Sequence, residues 1–345
     1  MNRILFAAVL FILLFAGLFP SGFSQFRPVE RVEGPDPGLR FFGKSLVYTE
    51  EFPESTGNRD VLTISLEMTP FPQIKPKFGA ILTIFDKVDR TQITIGQWND
   101  SLMVLAGDDF SNRRHEPKIY ASLPFEGKMN LDIVSSDSGT RVFINGKSAG
   151  SQSALFLKLP ENPDQSHLIL GSGVSTECSW EGIIHSVKIF DSVLSPDLPT
   201  TETTPLVSYR LDTGGNAVIP DETAHGPDLR IARQWIQLDS RFLHVPELHS
   251  LYKGVMPKDI VLNFFGFMPF GFMLYKMLGK RVLRRKITGI AIVLAASFLL
   301  SMMIESLQTL MPARDSSLLD LTLNTLGGAS GGLLVGSRKA LQRTN

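Results

Sequence analysis

Three long apolar segments toward the end of the chain constrain its fold most strongly. They cover residues 260–278, 287–310 and 318–335. As helices, each is long enough to cross a hydrocarbon layer of about 30 Å. Only helices and closed barrels span such a layer, because backbone polar groups find no water there. The sequence therefore predicts a transmembrane helical bundle at this end of the chain.

A fourth apolar run, residues 4–19, follows Arg3 and has two interpretations. It has the length of a short membrane anchor. It also suits the core of a signal peptide, with the small residues Gly22 and Ser24 behind it. In both interpretations, the residues that follow are exported across the membrane. Because the run is long for a signal core, we expect it to be retained.

Basic residues set the expected orientation of the bundle. A basic cluster runs from Lys276 to Lys286, and Arg338, Lys339 and Arg343 follow the last segment. The positive-inside rule assigns these clusters, together with Arg3, to the cytoplasm. We therefore expect a multi-pass protein of a bacterial cytoplasmic (inner) membrane, with both termini inside and residues 20–259 outside.

The composition excludes several classes of function. The chain has 345 residues with 34 basic and 34 acidic side chains, so its net charge gives no reason to expect nucleic-acid binding. Its single cysteine, Cys178, excludes an internal disulfide and a multi-cysteine metal site. The six histidines show no metal-ligand spacing, and we predict no metal centre from them.

Polar residues lie at the ends of the three apolar segments and in the loop between the last two. In the expected topology they all lie at the outer membrane face. Spacings of three or four residues keep the two members of each helical pair on one face. Polar and charged groups within membrane spans are costly and often functional. This polar membrane-face cluster consists of Asp259, Asn263, Glu305, Gln308, Arg314, Asp315, Asp320 and Asn324.

The cluster has two interpretations, and the sequence leaves both open. In the first, it is a hydrogen-bond network that joins helices, helped by the glycine-rich run 327–332, which permits close helix contact. In the second, it is a polar pocket for a lipid headgroup, a sugar or a peptide, with Arg314 paired to Glu305 or to an anionic ligand. Pro269 is expected to interrupt the backbone hydrogen bonding of its span at mid-depth and to kink it, which would open such a pocket. Glu305 and Asp320 suit acid and base roles if their carboxylates approach each other. No nucleophile lies beside a base, so the catalytic residues are unknown.

The order of these motifs resembles the VanZ-like family of small integral membrane proteins. The resemblance covers about the last ninety residues, and it implies a membrane domain without implying a reaction. The family takes its name from a member associated with resistance to the lipoglycopeptide teicoplanin. Its members commonly have an extra span before the first motif, which residues 4–19 supply here across a large insertion. The matching motifs are Asp259-x-x-x-Asn263, Phe267-x-Pro269-Phe270-Gly271, Ser301-x-x-x-Glu305-x-x-Gln308, Arg314-Asp315 and Asp320-x-x-x-Asn324-Thr325-x-Gly327.

The region before the bundle has an all-β pattern. Short alternating runs such as 61–66, 80–85 and 92–95 suit strands with one buried face. Asn145-Gly146 after a β-rich run is a strong hairpin signal. Many strands without intervening helices predict a β-sandwich or barrel.

This hairpin and the closing motif Trp180-x-Gly182-x-Ile184 resemble the laminin-G/concanavalin A-like jelly-roll superfamily. The resemblance implies a module that binds glycans or proteins, or one that hydrolyses them. The expected organisation is a multidomain chain. It comprises an anchor or signal peptide (1–25), a jelly-roll β-sandwich (26–198), a connector with additional sandwich strands or a truncated partner (199–245), and a VanZ-like transmembrane domain (246–345).

Binding is the favoured activity of the sandwich. Jelly-roll glycosidases place two carboxylates about 5–10 Å apart, typically from one inward-facing strand. The sequence has no Glu-x-Asp-x-x-Glu pattern of that kind. Trp98, in a turn with Asn99 and Asp100, is the candidate glycan contact, or else an aromatic of the core or rim. Loop carboxylates suit Ca²⁺, although ordinary solvated turn acids are the alternative. The carboxylates concerned are Asp108, Asp109 and Asp137.

Three hypotheses of function follow. In the first, the protein is a non-enzymatic envelope factor that recognises a cell-surface glycan or a lipid-linked saccharide and alters antibiotic access or polymer handling. In the second, it is a membrane enzyme that acts on a lipid-linked saccharide through Glu305, Arg314 and Asp320. In the third, it is a structural scaffold whose sandwich binds an envelope protein. The missing nucleophile favours a function without catalysis.

Overall fold

The computed structural model divides the chain into two compact units, Ser24–Asp239 and Met1–Phe23 with Ser240–Asn345. The structure describes residues 2–18, 26–55, 57–74, 77–89, 92–107, 116–174, 178–194, 204–212, 217–234, 236, 238, 242, 243, 245, 257–278, 286–309 and 316–341. At the ends of some helices, it describes only the backbone.

The unit Ser24–Asp239 is a β-sandwich of two antiparallel sheets. The first sheet has the order β1-β2-β13-β4-β9-β10-β11, with β14 also paired to β13, and the second has the order β15-β16-β3-β12-β5-β6-β7-β8. The strands are β1 (Glu30–Val32), β2 (Gly38–Phe42), β3 (Val47–Tyr48), β4 (Leu62–Pro70), β5 (Phe78–Asp86), β6 (Gln92–Trp98), β7 (Ser101–Ala106), β8 (Lys118–Ser122), β9 (Met129–Ser136), β10 (Gly139–Ile144), β11 (Lys147–Gln152), β12 (Ser166–Leu170), β13 (Glu181–Phe190), β14 (Val207–Arg210), β15 (Val218–Ile219) and β16 (Leu229–Ile231).

Alternation along the strands builds the core between the sheets. In β4, Leu62, Ile64 and Leu66 are almost completely buried, since every second residue of a strand points to the same face. The indole of Trp180 lies in this core and donates a 2.7 Å hydrogen bond to Oε1 of the buried Gln97. A buried indole N–H needs such a partner. The sheets therefore enclose an apolar core in which the Trp180 indole has a hydrogen-bond partner.

The structure confirms the predicted fold class, a β-sandwich followed by an apolar helical bundle. It also confirms the hairpin at Asn145-Gly146. These residues have φ values of 51° and 75° and connect the paired strands β10 and β11. Positive φ at both central positions is typical of a type I′ turn.

The strands that follow residue 199 extend both sheets. β14 pairs with β13, and β16 pairs with β3. Asp221 holds the turn between them by accepting hydrogen bonds from the backbone N–H groups of Ser208 (2.8 Å) and Gly226 (2.9 Å). This C-terminal part of the unit is therefore built into the same sandwich.

Among the described residues, the second unit contains a bundle of four helices: α1 (Asn2–Leu18), α2 (Pro257–Met277), α3 (Lys286–Gln308) and α4 (Leu318–Leu341). Within the part of the chain that the structure describes, three apolar stretches are long enough to cross a membrane: Ile260–Met277, Ile287–Gln308 and Leu318–Val335. Helix α1 is apolar but shorter. It packs on the others, and the ring of Phe6 stacks on that of Phe270 with centroids 5.5 Å apart.

Glycines bring α2 and α4 into backbone contact. A Cβ atom on Gly327 would lie 2.0 Å from the carbonyl oxygen of Phe264, and one on Gly331 would lie 2.0 Å from that of Met268. Helix α2 continues through Pro269, so the proline does not end the helix, and the kink expected at this residue stays a prediction. Packing against neighbouring helices lets a membrane helix tolerate a proline, and the close contact with α4 supplies such packing on both sides of Pro269.

Candidate functional site

Helix α3 carries a buried polar stripe. Its members Ser297, Ser301, Glu305 and Gln308 are exposed by only 0%, 0%, 1% and 8%. Spacings of four, four and three residues place them on one helical face. Facing them, Asn324 of α4 donates a 3.0 Å hydrogen bond from Nδ2 to Oγ of Ser301.

The first turn of α4 connects this stripe to α2. Asn263 donates a 2.6 Å hydrogen bond from Nδ2 to Oδ1 of Asp320. The backbone N–H of Asp320 donates to Oγ of Ser317, which acts as a helix cap before α4. The polar residues at the start of α4 are therefore fixed in place from two directions.

Glu305 lies against this cap. Its Oε2 accepts a 2.8 Å hydrogen bond from the backbone N–H of Ser317, and the hydroxyl of Ser316 bonds to the same carboxyl group. Oγ of Ser316 also accepts a bond of 3.2 Å from the N–H of Leu243. The carboxyl groups of Glu305 and Asp320 are close enough to interact electrostatically.

The structure thus brings Asn263, Glu305, Gln308, Asp320 and Asn324 into one helical unit, and their bonds join different helices. The side chain of Asp259 and the whole of Arg314 and Asp315 lie outside the described residues, so the pairing of Arg314 stays a prediction. Sequence reasoning missed Ser297 and the capping role of Ser317. The four-residue spacing from Ser297 to Glu305 was the available signal for the first.

A second candidate site is a groove of about 170 Å³ at one end of the sandwich. It is lined by Ile84, Asp86, Gln92, Phe156 and Lys158, among others. The side chain of Phe156 lines this groove and is 45% exposed. No local motif predicts this groove, because its walls come from three separate segments.

Hydrogen bonds hold the charged residues that line the groove in place, and Asp86 among them is buried. Asp86 accepts bonds from the backbone N–H of Val88 (2.8 Å) and from the backbone N–H (3.0 Å) and Nδ2 (3.1 Å) of Asn162. Burial tends to raise the pKa of Asp86, but these bonds outweigh it and hold the pKa below its usual value. Lys158 pairs with Asp60 at 2.7 Å, which raises the pKa of the lysine. Both groups are therefore charged near neutral pH.

Trp98 lies at the other end of β6 from Gln92, about 20 Å away at 3.3 Å per residue. It is partly buried against an apolar cluster that includes Phe78, Met103 and Leu105. The residue after it, Asn99, has a φ of 56° and forms the turn to β7. Trp98 thus combines a packed side with a partly exposed one and stays a candidate contact.

The proposed calcium ligands are only partly described. Asp137 is exposed in the turn between β9 and β10, and Asp108 and Asp109 lie outside the described residues. Within the described part of the chain, no group of three or more His, Cys, Asp or Glu side chains is arranged to hold a metal ion.

Comparison with known proteins identifies the C-terminal part of the chain. Residues 217–338 match the family model described as VanZ/LLP1. This region is a VanZ-like domain. The match begins just before β15, so its first residues lie in strands of the sandwich rather than in the bundle. No curated protein matches the sequence.

Several solved structures resemble the sandwich. A protein from Bacteroides ovatus that is assigned carbohydrate binding aligns over 60% of this chain and 61% of its own, with 12% identity and a TM-score of 0.41. Domain 4 of the arabinanase AbnA from Geobacillus stearothermophilus, solved with arabinotriose, aligns over 49% and 78%, with 15% identity and a TM-score of 0.38. Domains LG4-5 of the mouse laminin α1 chain align over 53% and 50%, with 13% identity and a TM-score of 0.33. These likenesses concern the fold, and no residue role follows from them.

Proposed function

We propose that this protein is a non-enzymatic envelope factor of a bacterial cytoplasmic membrane whose exported sandwich binds a cell-surface glycan. The groove beside Phe156 is the observation that carries the proposal. A sugar ring presents apolar C–H faces and hydroxyl edges, so it suits a site that combines an aromatic ring with a few polar groups. Phe156 offers the ring and the exposed Lys158 offers a donor at the rim, while the buried Asp86 supports the wall of the groove.

The VanZ-like domain anchors the sandwich in this proposal. The basic clusters at Lys276–Lys286 and after the last span support an orientation with both chain termini inside and the sandwich outside. Three stretches of spanning length support the membrane assignment. Trp98, at the far end of β6, is the second candidate for glycan contact.

The bundle itself favours a scaffold function as the second candidate. Asn263 binds Asp320, Asn324 binds Ser301, and Gln308 binds the carbonyl oxygen of Gly17, so these side chains join pairs of helices. The carboxyl group of Glu305 is buried, which disfavours its direct action on a lipid-linked saccharide. We therefore propose no reaction for this domain.

The family name suggests one consequence of glycan binding. If the bound glycan belongs to the cell wall or its lipid-linked precursor, the protein should alter susceptibility to lipoglycopeptide antibiotics. We propose this role for the intact chain, with the sandwich supplying recognition.

A binding experiment tests the glycan proposal directly. The fragment Ser24–Asp239 has its own core, and its binding to cell-wall and capsular saccharides is measured on an array and then by calorimetry. We expect Phe156→Ala to weaken binding about tenfold, a loss of about 1.4 kcal/mol, because ring stacking is removed. Tyr120→Ala is the matched control, since Tyr120 is an equally exposed aromatic on β8 away from the groove. Trp98→Ala tests the second candidate contact.

Two results would contradict the proposed site. One is a fragment that binds no saccharide on the array. The other is a Phe156→Ala variant that binds like wild type while Trp98→Ala does not, which moves the site to the opposite end of β6. The antibiotic role is tested with a deletion strain complemented by wild type or Phe156→Ala at matched membrane abundance. If both strains are equally sensitive to the lipoglycopeptide, the antibiotic role does not depend on glycan binding at Phe156.

A further inference from the structure

A loop at one end of the sandwich presents an apolar side chain to solvent. Ile74, in the connection between β4 and β5, is 97% exposed, more than any other large apolar side chain among the described residues. Nε2 of the buried Gln97 donates a 2.9 Å hydrogen bond to the carbonyl oxygen of Phe71. The N–H of Asn99 donates one of 3.0 Å to Oε1 of Gln73. The loop that carries Ile74 is therefore fixed to the sandwich.

The surroundings of Ile74 decide what its exposure means, since single exposed apolar residues are ordinary on protein surfaces. The guanidinium of the exposed Arg40 lies 5.4 Å from the ring centroid of Phe71, which belongs to the same loop. Lys77 follows in the loop, with its side chain 40% exposed. Trp98 is partly exposed and precedes the turn that bonds to the loop. An apolar tip with cations and a tryptophan near it is typical of proteins that lie on a membrane interface.

The charge of this end suits an anionic surface. Lys75 and Lys77 belong to the loop, and Arg40 lies across from it. Glu181 pairs with Lys77 at 3.9 Å, and Asp100 lies in the adjacent turn, so these carboxylates oppose the cations in part. The two side chains of the pair are 40% and 53% exposed, and such surface pairs are weak. Among these groups positive charge is in excess, which favours contact with anionic lipid headgroups.

The chain also enters the sandwich at this end. The N–H of Arg27 donates a 3.4 Å hydrogen bond to the carbonyl oxygen of Lys44. The N–H of Gly43 donates one of 3.0 Å to that of Trp180, which is next to the carboxylate that pairs with the loop lysine. Residues 19–25 join the end of α1, an apolar helix that packs with the spanning helices, to the start of the sandwich. A short tether of this kind raises the local concentration of lipid, so a weak contact suffices.

We propose that this end of the sandwich docks on the lipid surface of the membrane that holds the bundle, with Ile74 inserted among anionic headgroups. Arg40, Lys77 and Trp98 then lie at headgroup level, where such side chains are favoured. The Phe156 groove lies at the other end of β5, about 26 Å away at 3.3 Å per residue, so it stays clear of the lipid. Lipid docking is independent of glycan binding and goes beyond it.

Fluorescence of the full-length protein in nanodiscs that contain phosphatidylglycerol tests the proposal. A nitrobenzoxadiazole label is attached at Ile74→Cys in a Cys178→Ser background, since Cys178 is the single cysteine of the chain. We expect its emission to shift to shorter wavelength and to be quenched by doxyl groups on the lipid. Val88→Cys is the matched control, because Val88 is an apolar residue, 49% exposed, just beyond the other end of β5. Its label should show neither the shift nor the quenching.

Vesicle binding by the fragment Ser24–Asp239 supplies a second readout. The vesicles contain phosphatidylcholine alone or mixed with phosphatidylglycerol. Ile74→Asp should weaken sedimentation with the mixed vesicles about tenfold, because the apolar side chain no longer enters the lipid. Lys77→Gln should weaken it about fivefold on mixed vesicles only. Val88→Asp is the matched control, and Phe156→Ala should also bind vesicles like wild type, which separates lipid docking from glycan binding.

Three results would overturn the proposal. The first is a label at position 74 whose emission neither shifts nor is quenched. The second is a shift without quenching by doxyl lipid, which means that the label is buried against protein rather than lipid. The third is a fragment that does not bind the mixed vesicles, or that binds them equally well with Ile74→Asp. Equal Tm values of wild type and Ile74→Asp establish that the variant is folded.

Discussion

The side-chain amide of Gln308 donates a 2.8 Å hydrogen bond to the backbone carbonyl oxygen of Gly17. This bond joins the end of α3 to the end of α1, where the helix has carbonyl groups without partners of their own. Gly17 also lies against Ile304, since a Cβ atom at Gly17 would approach Cγ2 of that residue to 2.8 Å. Helix α1 is thus packed as a member of the bundle.

We predict that residues 1–19 remain in the mature protein because of this packing. The measurement is the mass of the N-terminal peptide of protein purified from membranes. Gly17→Val should destabilise the bundle by about 1–3 kcal/mol, because the new side chain overpacks the contact with Ile304. Ile12→Val, at an exposed position of α1, is the control and should have little effect on thermal unfolding in detergent. A mature protein that begins after residue 19 would contradict this prediction.

The second prediction concerns the glycine contacts between α2 and α4. Gly327→Ala and Gly331→Ala should each force the helices apart, because a Cβ atom at either position meets a carbonyl oxygen of α2 at 2.0 Å. We expect a loss of about 1–3 kcal/mol for each, measured as a lower Tm in detergent. Gly266→Ala is the matched control on α2, since nothing lies within 4 Å of a Cβ atom there. Similar Tm values for all three variants would show that close backbone contact does not hold these helices together.

The third prediction is a loss of sandwich stability in acid through Asp221. Burial tends to raise the pKa of Asp221, but hydrogen bonds from Thr223, Ser208 and Gly226 outweigh it and hold the pKa below the usual value. A carboxyl group whose pKa is lowered by folding stabilises the protein above its unfolded pKa of about 3.9. That stability is lost as the pH falls through the lower, folded pKa. The fragment Ser24–Asp239 should therefore unfold at a lower urea concentration near pH 3 than near pH 7.

The Asp221→Asn variant measures how much of this pH dependence Asp221 contributes. Its urea midpoint should change less between the two pH values than that of wild type, because the ionisable group is gone. Asp137→Asn, in an exposed turn, is the control and should follow the wild type. If Asp221→Asn keeps the full wild-type pH dependence, other carboxylates carry the effect.

The fold class was readable from local patterns. Alternation along β4 and the Asn145-Gly146 turn act within a few residues, so strand and hairpin could be predicted without knowledge of their partners. The effect of Pro269 on α2 could not be predicted in this way, although the helix continues through it. Whether a proline breaks a helix depends on what packs against it, and the contact of Gly327 and Gly331 with α2 is a long-range feature.

The two candidate sites also differ in whether local sequence patterns could predict them. The sequence pointed to Glu305, Asp320 and Asn324 as candidate functional residues, because polar residues within membrane spans are costly. No local sequence pattern predicted the groove at Phe156, which forms where the ends of β5 and β6 meet a distant segment. Its residues are ordinary in sequence and become a surface only through the pairing of the sheet.

By itself, the sequence determined which segments suit a membrane, which suit strands, and which polar residues lie among apolar ones, since each property depends on side-chain chemistry over a short stretch. The tertiary structure alone decided that Asn263 binds Asp320, that Asn324 binds Ser301, and that Gln308 reaches Gly17. These relationships join residues far apart in the chain. Their geometry is set by how helices and strands pack, which no short stretch of sequence specifies.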